Sequence, residues 1–170
     1  MVNSKVILVD ESDREKGEME KLEAHRKGLL HRAYSVFVFN NKGEVLLQKR
    51  SEKKYHSAGL WTNACCSHPQ PGEDTIQSAK ERLYMEMGIK GNLDFHSKFI
   101  YKSEFENGLT EYEVDHLFVC HSDVVPKVDP GEVAEWRYVS PRELCDEIMY
   151  SPEKFTTWFR IIVERQGIIS

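Results

Sequence analysis

The chain has 170 residues, 40% hydrophobic and 30% charged, which suits one soluble domain with a real core. Its net charge of -5 argues against non-specific nucleic-acid binding, and no apolar run approaches the roughly 20 residues of a membrane span. Four cysteines with no CxxC pair, and a Met1-Val2-Asn3-Ser4-Lys5 start without a long apolar core, fit a reduced cytoplasmic setting better than a secreted disulfide scaffold.

In chain order, Val6-Ile7-Leu8-Val9 predicts a short strand ending at Asp10. Met19, Leu22 and His25 or Arg26 recur at helical spacing and predict a helix that Gly28 ends. Lys21 and His25 share a face of it, which alone reads as solvated surface. His31 to Phe39 is rich in aromatic and β-branched residues and reads as a central strand buried on both faces. Asn40-Asn41-Lys42-Gly43 is a hairpin turn, and Glu44 to Gln48 returns. Lys49, Arg50, Lys53 and Lys54 then make a basic cluster in an otherwise acidic protein, read as either a polar loop or an anion pocket.

The stretch from Trp61 to Glu73 reads Trp-Thr-Asn-Ala-Cys-Cys-Ser-His-Pro-Gln-Pro-Gly-Glu. In extended backbone Cys66 and His68 share a side, and Cys65 points the other way. A thiol beside an imidazole can transfer protons, attack as a nucleophile or bind metal. Asp74 to Met87 predicts a helix with a capping box at Asp74 and Gln77, a buried stripe of Ile76, Ala79, Leu83 and Met87, and a Gly88 cap. Arg82 and Glu86 are i and i+4 on one flank and read as an ordinary surface pair.

Strands follow near 93–103 and 110–121, turned by Glu106-Asn107-Gly108. In the second, Glu111, Glu113, Asp115, Leu117 and Val119 share one face. A solvated face would not carry Leu117 and Val119, and a buried face would not carry carboxylates without a cation, so a metal near the start of this strand resolves both. Val133 to Val139 is a further strand. Ser140-Pro141-Arg142-Glu143 and Ser151-Pro152-Glu153 start the last two helices, the second with a stripe of Phe155, Trp158, Phe159, Ile162 and Val163. By pattern alone Trp158 is a core aromatic. The mixed order of strands and helices predicts a single-domain α/β sandwich.

Leu30-His31-Arg32-Ala33-Tyr34-Ser35, the Trp61 to Pro69 segment and Glu111-Tyr112-Glu113 together resemble type I isopentenyl-diphosphate isomerase, over residues from about 4 to about 165. The resemblance implies the Nudix fold, an α/β/α sandwich with a mixed sheet, running through residues 1–170 with the segment to about residue 29 adding a helix and a metal ligand. It implies interconversion of isopentenyl and dimethylallyl diphosphate. The implied metal site is His25, His31, His68, Glu111 and Glu113, a donor set that suits Mn²⁺, Zn²⁺ or Fe²⁺. Cys66 and Glu113 become the acid/base pair, Tyr101 bonds beside Glu113, and Trp158 caps the hydrocarbon end. Lys21, Arg50, Lys54 and Arg82 hold the diphosphate, with a Mg²⁺ on Glu86. The expected partner is this small diphosphate substrate, with no flavin, nucleic acid or membrane, in a monomer or homodimer.

The chemistry asks for such residues. Protonating an unactivated alkene gives a tertiary cation, a second group must then remove a proton from the adjacent carbon, and an indole face can stabilise the cation without trapping it. One rival is a Nudix hydrolase. Aligned on Gly88-Ile89, however, its metal- and water-handling box reads Ser67, Glu73, Glu81, Arg82, Leu83, Met85 and Glu86, with its Arg-Glu pair inverted and Met85 in place of one adjacent glutamate. The other rival, a non-enzymatic zinc domain, fits poorly with ligands spread over three segments and two carboxylates among them.

Overall fold

A computed structural model describes residues 4–169; Met1 to Asn3, which carry part of the expectation about the N-terminus, and Ser170 lie outside the described residues. The strands are β1 (Lys5–Val9), β2 (Glu15–Glu20), β3 (His31–Phe39), β4 (Val45–Arg50), β5 (Trp61–Thr62), β6 (Cys65–Ser67), β7 (Asp94–Glu104), β8 (Thr110–His121) and β9 (Val133–Val139). The helices are α1 (Lys21–Lys27), α2 (Thr75–Met87), α3 (Pro141–Tyr150) and α4 (Thr157–Arg165).

The nine strands among the described residues join one mixed sheet. β3 is its axis. Along one edge it pairs in parallel with β8 over its whole length, from His31 opposite Glu113 to Phe39 opposite His121. Along the other it meets β1 at Leu8–His31, β6 from Tyr34–Ser67 to Val36–Cys65, and β4 at Phe39–Val45. A strand bonded on both edges must bury both faces, which explains its unbroken apolar and aromatic run.

The two faces carry two cores. Tyr34, Val36, Val38, Phe118 and Cys120 face the α2 stripe of Ala79, Leu83 and Met87. Phe37, Val45, Leu47 and Leu117 face Leu144 of α3 with Phe159 and Ile162 of α4. Helices thus cover both sides, giving the α/β/α sandwich. On β3 and β8 the second face changes from apolar to polar toward Ser35, His31, Asp115 and Glu113, and the site lies there.

Local structure departs from the sequence reading at four places. Met19 belongs to β2, not to a helix, because Glu15–Glu20 folds back on β1 with Met19 opposite Val6. The turn after β3 is present, but β4 leaves β3 after one pair and bonds β9 from Val45–Val139 to Arg50–Val133. Asp74 caps α2 by accepting from Ile76 and Gln77 N–H groups, while the Gln77 side chain goes to Glu81 instead of closing a box. Ser151-Pro152 starts a single 3-10 turn, and α4 begins later, capped by Thr156. The box at Ser140 and Glu143 is complete.

Candidate active site

The end of α1 sets the first side chain. Gly28 closes this helix in the left-handed region (φ 63°), and the last turn buries His25 against the sheet. His31 opens β3, Glu113 sits opposite it on β8, and His68 follows β6. Ligand atoms of His25, His31, His68 and Glu113 all lie within 4.8 Å of one another. The three imidazole rings surround one point, with centroids 5.0 to 5.8 Å apart.

The tautomer of His31 follows from its partners. Its Nδ1 lies 2.8 Å from the Leu29 carbonyl, so that nitrogen carries the hydrogen and Nε2 offers a lone pair inward. Nε2 of both His25 and His31 is buried without a hydrogen-bond partner, as is Oε1 of Glu111. Two unpartnered imidazole nitrogens in the cluster, with an unpartnered carboxylate oxygen beside it, are a donor set that fits a cation. Burial and the neighbouring His68 depress the His25 imidazole to about 3, so it stays neutral, the form that ligates. Burial also lowers His68. Burial alone would raise Glu113, but His68 and His31 hold it well below the carboxylate range.

Glu111 stands beside this cluster, not inside it. Its Oε2 accepts from Tyr101 Oη at 3.1 Å. Burial and Glu113 push its carboxyl well above the usual range, so one proton stays with the pair of glutamates. Bound cation charge would reverse that tendency.

A solvent-connected recess joins these groups to the rest of the predicted set. Lys21, His25, Arg50, Lys54, Cys66, His68, Arg82, Glu86, Tyr101, Glu111, Glu113 and Trp158 all line it. His31, fully buried, lies beneath. One end is cationic: burial and the charges of Lys54, Arg82 and Arg50 pull the Lys21 ammonium down. Unlike the surface pair expected, Arg82 and Glu86 bond at 2.5 Å with Glu86 buried, and Arg82 also reaches Glu132, which pairs with Lys54 as well. Lys49 pairs with Glu135 at the surface, away from this cluster. Trp158, 4% exposed, stacks on the Arg50 guanidinium at 5.1 Å and so adjoins the cationic group.

β6 separates the two cysteines as its alternation requires. Cys65 is fully buried in the α2-side core, and Cys66 faces the recess. Burial and the nearby Asp115 push the Cys66 thiol up to about 12, so it is protonated at neutral pH.

Residues 29–159 match the NUDIX domain model. The chain is 48% identical to an isopentenyl-diphosphate Delta-isomerase of Pectobacterium atrosepticum, over 95% of this chain and 90% of that protein. A Serratia proteamaculans protein of the same name is 44% identical over 95% and 90%. The chain belongs to the isopentenyl-diphosphate Delta-isomerase family, within the Nudix fold. Solved structures show the fold's breadth. A Deinococcus radiodurans protein superposes with a TM-score of 0.81 at 18% identity over 96% of this chain and 99% of its own. A MutT protein from Methanosarcina mazei does so at 0.67 and 21%, over 81% and 93%.

Sequence reasoning missed several residues of this isomerase-family recess. Tyr34, Ser35, Tyr55, His56 and Ser67 line it. Tyr55 and His56 come from the loop after β4, with Tyr55 Oη 3.4 Å from His25 Nδ1 and the His56 ring 5.8 Å from Trp158. Glu132, which balances Lys54 and Arg82, lies in the loop before β9. The one available signal was Ser35, set between Ala33 and Phe37 on one face of a buried strand.

Proposed function

We infer that this recess is where the chain interconverts isopentenyl and dimethylallyl diphosphate. The observation that carries the reading is its mixed lining. Four cations share one recess with a thiol, an indole and a histidine–carboxylate cluster, the indole lying against Arg50. A small molecule with a charged head and a short apolar tail matches that lining. Lys21, Arg50, Lys54 and Arg82 would hold the diphosphate.

His25, His31, His68 and Glu113, with Glu111 beside them, would hold Mn²⁺, Zn²⁺ or Fe²⁺; three imidazoles with carboxylate suit these ions. Such a cation would supply positive charge that fixes and ionises the glutamates. Glu86 would hold a Mg²⁺ with the diphosphate, sharing a carboxylate that already accepts from Arg82 and Gln48. No flavin takes part in this reading.

Cys66 and Glu113 are the proton-transfer pair. One gives a proton to the terminal carbon of the alkene, leaving a tertiary cation on its neighbour. The other removes a proton from the adjacent carbon on the diphosphate side, and the C–H electrons form the new double bond. Nothing is oxidised or released. Cys66 Sγ holds a proton at rest, Tyr101 holds Glu111 in place, and Trp158 presents an indole to the cation. The degenerate box on α2 supports isomerisation over hydrolysis. The reading makes the whole chain one catalytic domain whose N-terminal segment supplies α1 and His25. It places the protein in the cytoplasm as a monomer or homodimer. No helix among the described residues is long and apolar enough to cross a membrane.

Proton NMR of isopentenyl diphosphate with enzyme, Mn²⁺ and Mg²⁺ in D₂O tests the reading. Dimethylallyl diphosphate carrying deuterium, with no inorganic phosphate released, is expected. Phosphate release without isomer formation would overturn it.

A further inference from the structure

Behind the Cys66 thiol lies a polar chain that the reaction as described does not use. Asn63 is fully buried between β5 and β6, and Thr62 and Thr156 are 2% and 0% exposed. Asn63 Nδ2 lies 2.9 Å from both the Val36 and the Cys65 carbonyls. Only an amide NH₂ satisfies two carbonyls, so Oδ1 faces the opposite way, toward donors. There it accepts from Thr62 Oγ1 at 2.9 Å and from Cys66 Sγ at 3.1 Å. Thr62 Oγ1 in turn accepts from Thr156 Oγ1 at 3.1 Å. Thr156 is the N-cap of α4, accepts from the Phe159 N–H at 3.3 Å, and stands two residues before Trp158. Its own N–H donates to the Trp61 carbonyl at 3.0 Å.

We propose that Asn63, Thr62 and Thr156 form one positioning unit that aims the Cys66 thiol and fixes it relative to the Trp158 indole. The proposal rests on the roles given above to Cys66 and Trp158. Three polar side chains buried in an apolar layer stabilise the fold no better than aliphatic groups of the same shape would, unless the direction of their bonds matters. Here every direction is determined. The two carbonyls fix the amide, the amide oxygen fixes the S–H, and the hydroxyl pair carries the same constraint to the first turn of α4. A second acceptor, Ser35 Oγ at 3.5 Å from Sγ, is itself tied to Asp115 by donation at 2.8 Å. The thiol hydrogen is therefore turned back into the protein at rest, and the sulfur is held against the recess. Thiol and indole come from segments far apart in sequence, and this chain of bonds ties the segment carrying one to the helix carrying the other. None of the three residues touches substrate in this scheme; they act through Cys66 and Trp158.

The test reads the S–H stretch of Cys66 by infrared spectroscopy, as wild type minus Cys66→Ala, alongside kcat and KM for isopentenyl diphosphate. Asn63→Ala should move the band to higher frequency as the acceptor is lost, and lower kcat by about tenfold to a hundredfold with KM within about twofold. Thr62→Val keeps the shape and serves where Asn63→Ala does not fold. It should move the band to lower frequency, since Oδ1 then serves one donor fewer, and lower kcat in the same way. Thr62→Ser should restore both readouts. A Cys66 band unmoved in Thr62→Val, or a kcat equal to wild type there, would overturn the positioning unit. Turnover retained by Cys66→Ala would instead remove the role given to Cys66, and the band would still decide whether the thiol is aimed by Asn63.

Discussion

Cys65 and Cys66 leave β6 in opposite directions: Cys65 Sγ lies 3.8 Å from Glu86 Oε2 in the α2-side core, and Cys66 Sγ lies 3.1 Å from Asn63 Oδ1 at the recess. Cys65→Ala should leave kcat near wild type and lower stability by a fraction of the ~2–5 kcal/mol of larger core truncations. Cys66→Ala should nearly abolish turnover while the substrate still binds. With its thiol pushed up to about 12, Cys66 should react slowly with iodoacetamide at pH 8, whereas exposed Cys145 reacts fast. A substrate-shaped epoxide should modify Cys66 and spare Cys65. Mass spectrometry finding Cys65 labelled and Cys66 untouched would reverse both assignments.

Glu113 and Asp115 share a face of β8 but hold different charges. His31 and His68 keep Glu113 ionised. Burial and Glu113 keep Asp115 well above the carboxylate range, and it accepts from Ser35. Asp115→Asn therefore replaces one neutral group by another of the same shape, and should cost little rate. In the proposed reading Glu113→Gln removes both a metal-facing charge and a proton-transfer group, and should lose at least about 10²-fold in kcat. Equal losses in the two variants would mean that the carboxylates are misassigned.

Most of the architecture was legible because it is local. The period of two in β8 placed Glu111, Glu113 and Asp115 together, and Gly28 and Gly88 marked helix ends at positive φ. What could not be read was register. That His31 faces Glu113 across a parallel pair, or that Ser35 faces Cys66, depends on contacts made at a distance along the chain, and no spacing encodes them. The resemblance supplied the proposed site residues; all of them except the buried His31 line one recess, with Glu111 bonded to Tyr101 at the side of the four-atom cluster. Asn63, Thr62 and Glu132 stayed invisible because each reads alone as an ordinary polar residue. Met19 was misread because a charged edge strand such as Glu15–Glu20 has almost no apolar alternation to show.

Metal-free protein should lose stability in acid within a defined window. Burial depresses His25 to about 3 and His116 to about 4, and lowers His68 also. The unfolded chain takes up these protons near pH 6.5, and the folded chain resists. The histidine contribution to stability is thus complete above 6.5 and falls as the pH drops toward 4, by up to about 1.4 kcal/mol per pH unit for each such group. Urea titrations of chelator-treated protein at pH 7.5 and 5 should show it. Adding Mn²⁺ at pH 7.5 should raise the midpoint, and the rise should vanish in His25→Ala. An unchanged midpoint with saturating Mn²⁺, Zn²⁺ and Fe²⁺ in turn would count against the metal site.

Trp158 meets two demands that substitution can separate. It packs beside Phe159 and Ile162 in the α4-side core, and it lines the recess with Arg50 across its ring. As a packing residue it is tied to volume alone, so Phe and Leu should differ little in rate once both variants are folded. As the wall that meets a carbocation it needs a π face, and a desolvated contact of that kind is worth about 2 kcal/mol. That corresponds to roughly thirtyfold in rate. Trp158→Phe keeps an aromatic face and should retain much of kcat; Trp158→Leu should fall by about that further factor. Melting temperatures of both variants separate rate from stability, since the Leu variant leaves the larger void beside Arg50. KM is a separate readout, because Arg50, one of the proposed diphosphate contacts, lies against this ring. Equal kcat values for the Phe and Leu variants, with matched melting temperatures, would reduce Trp158 to a core residue and leave the cation without its proposed stabiliser.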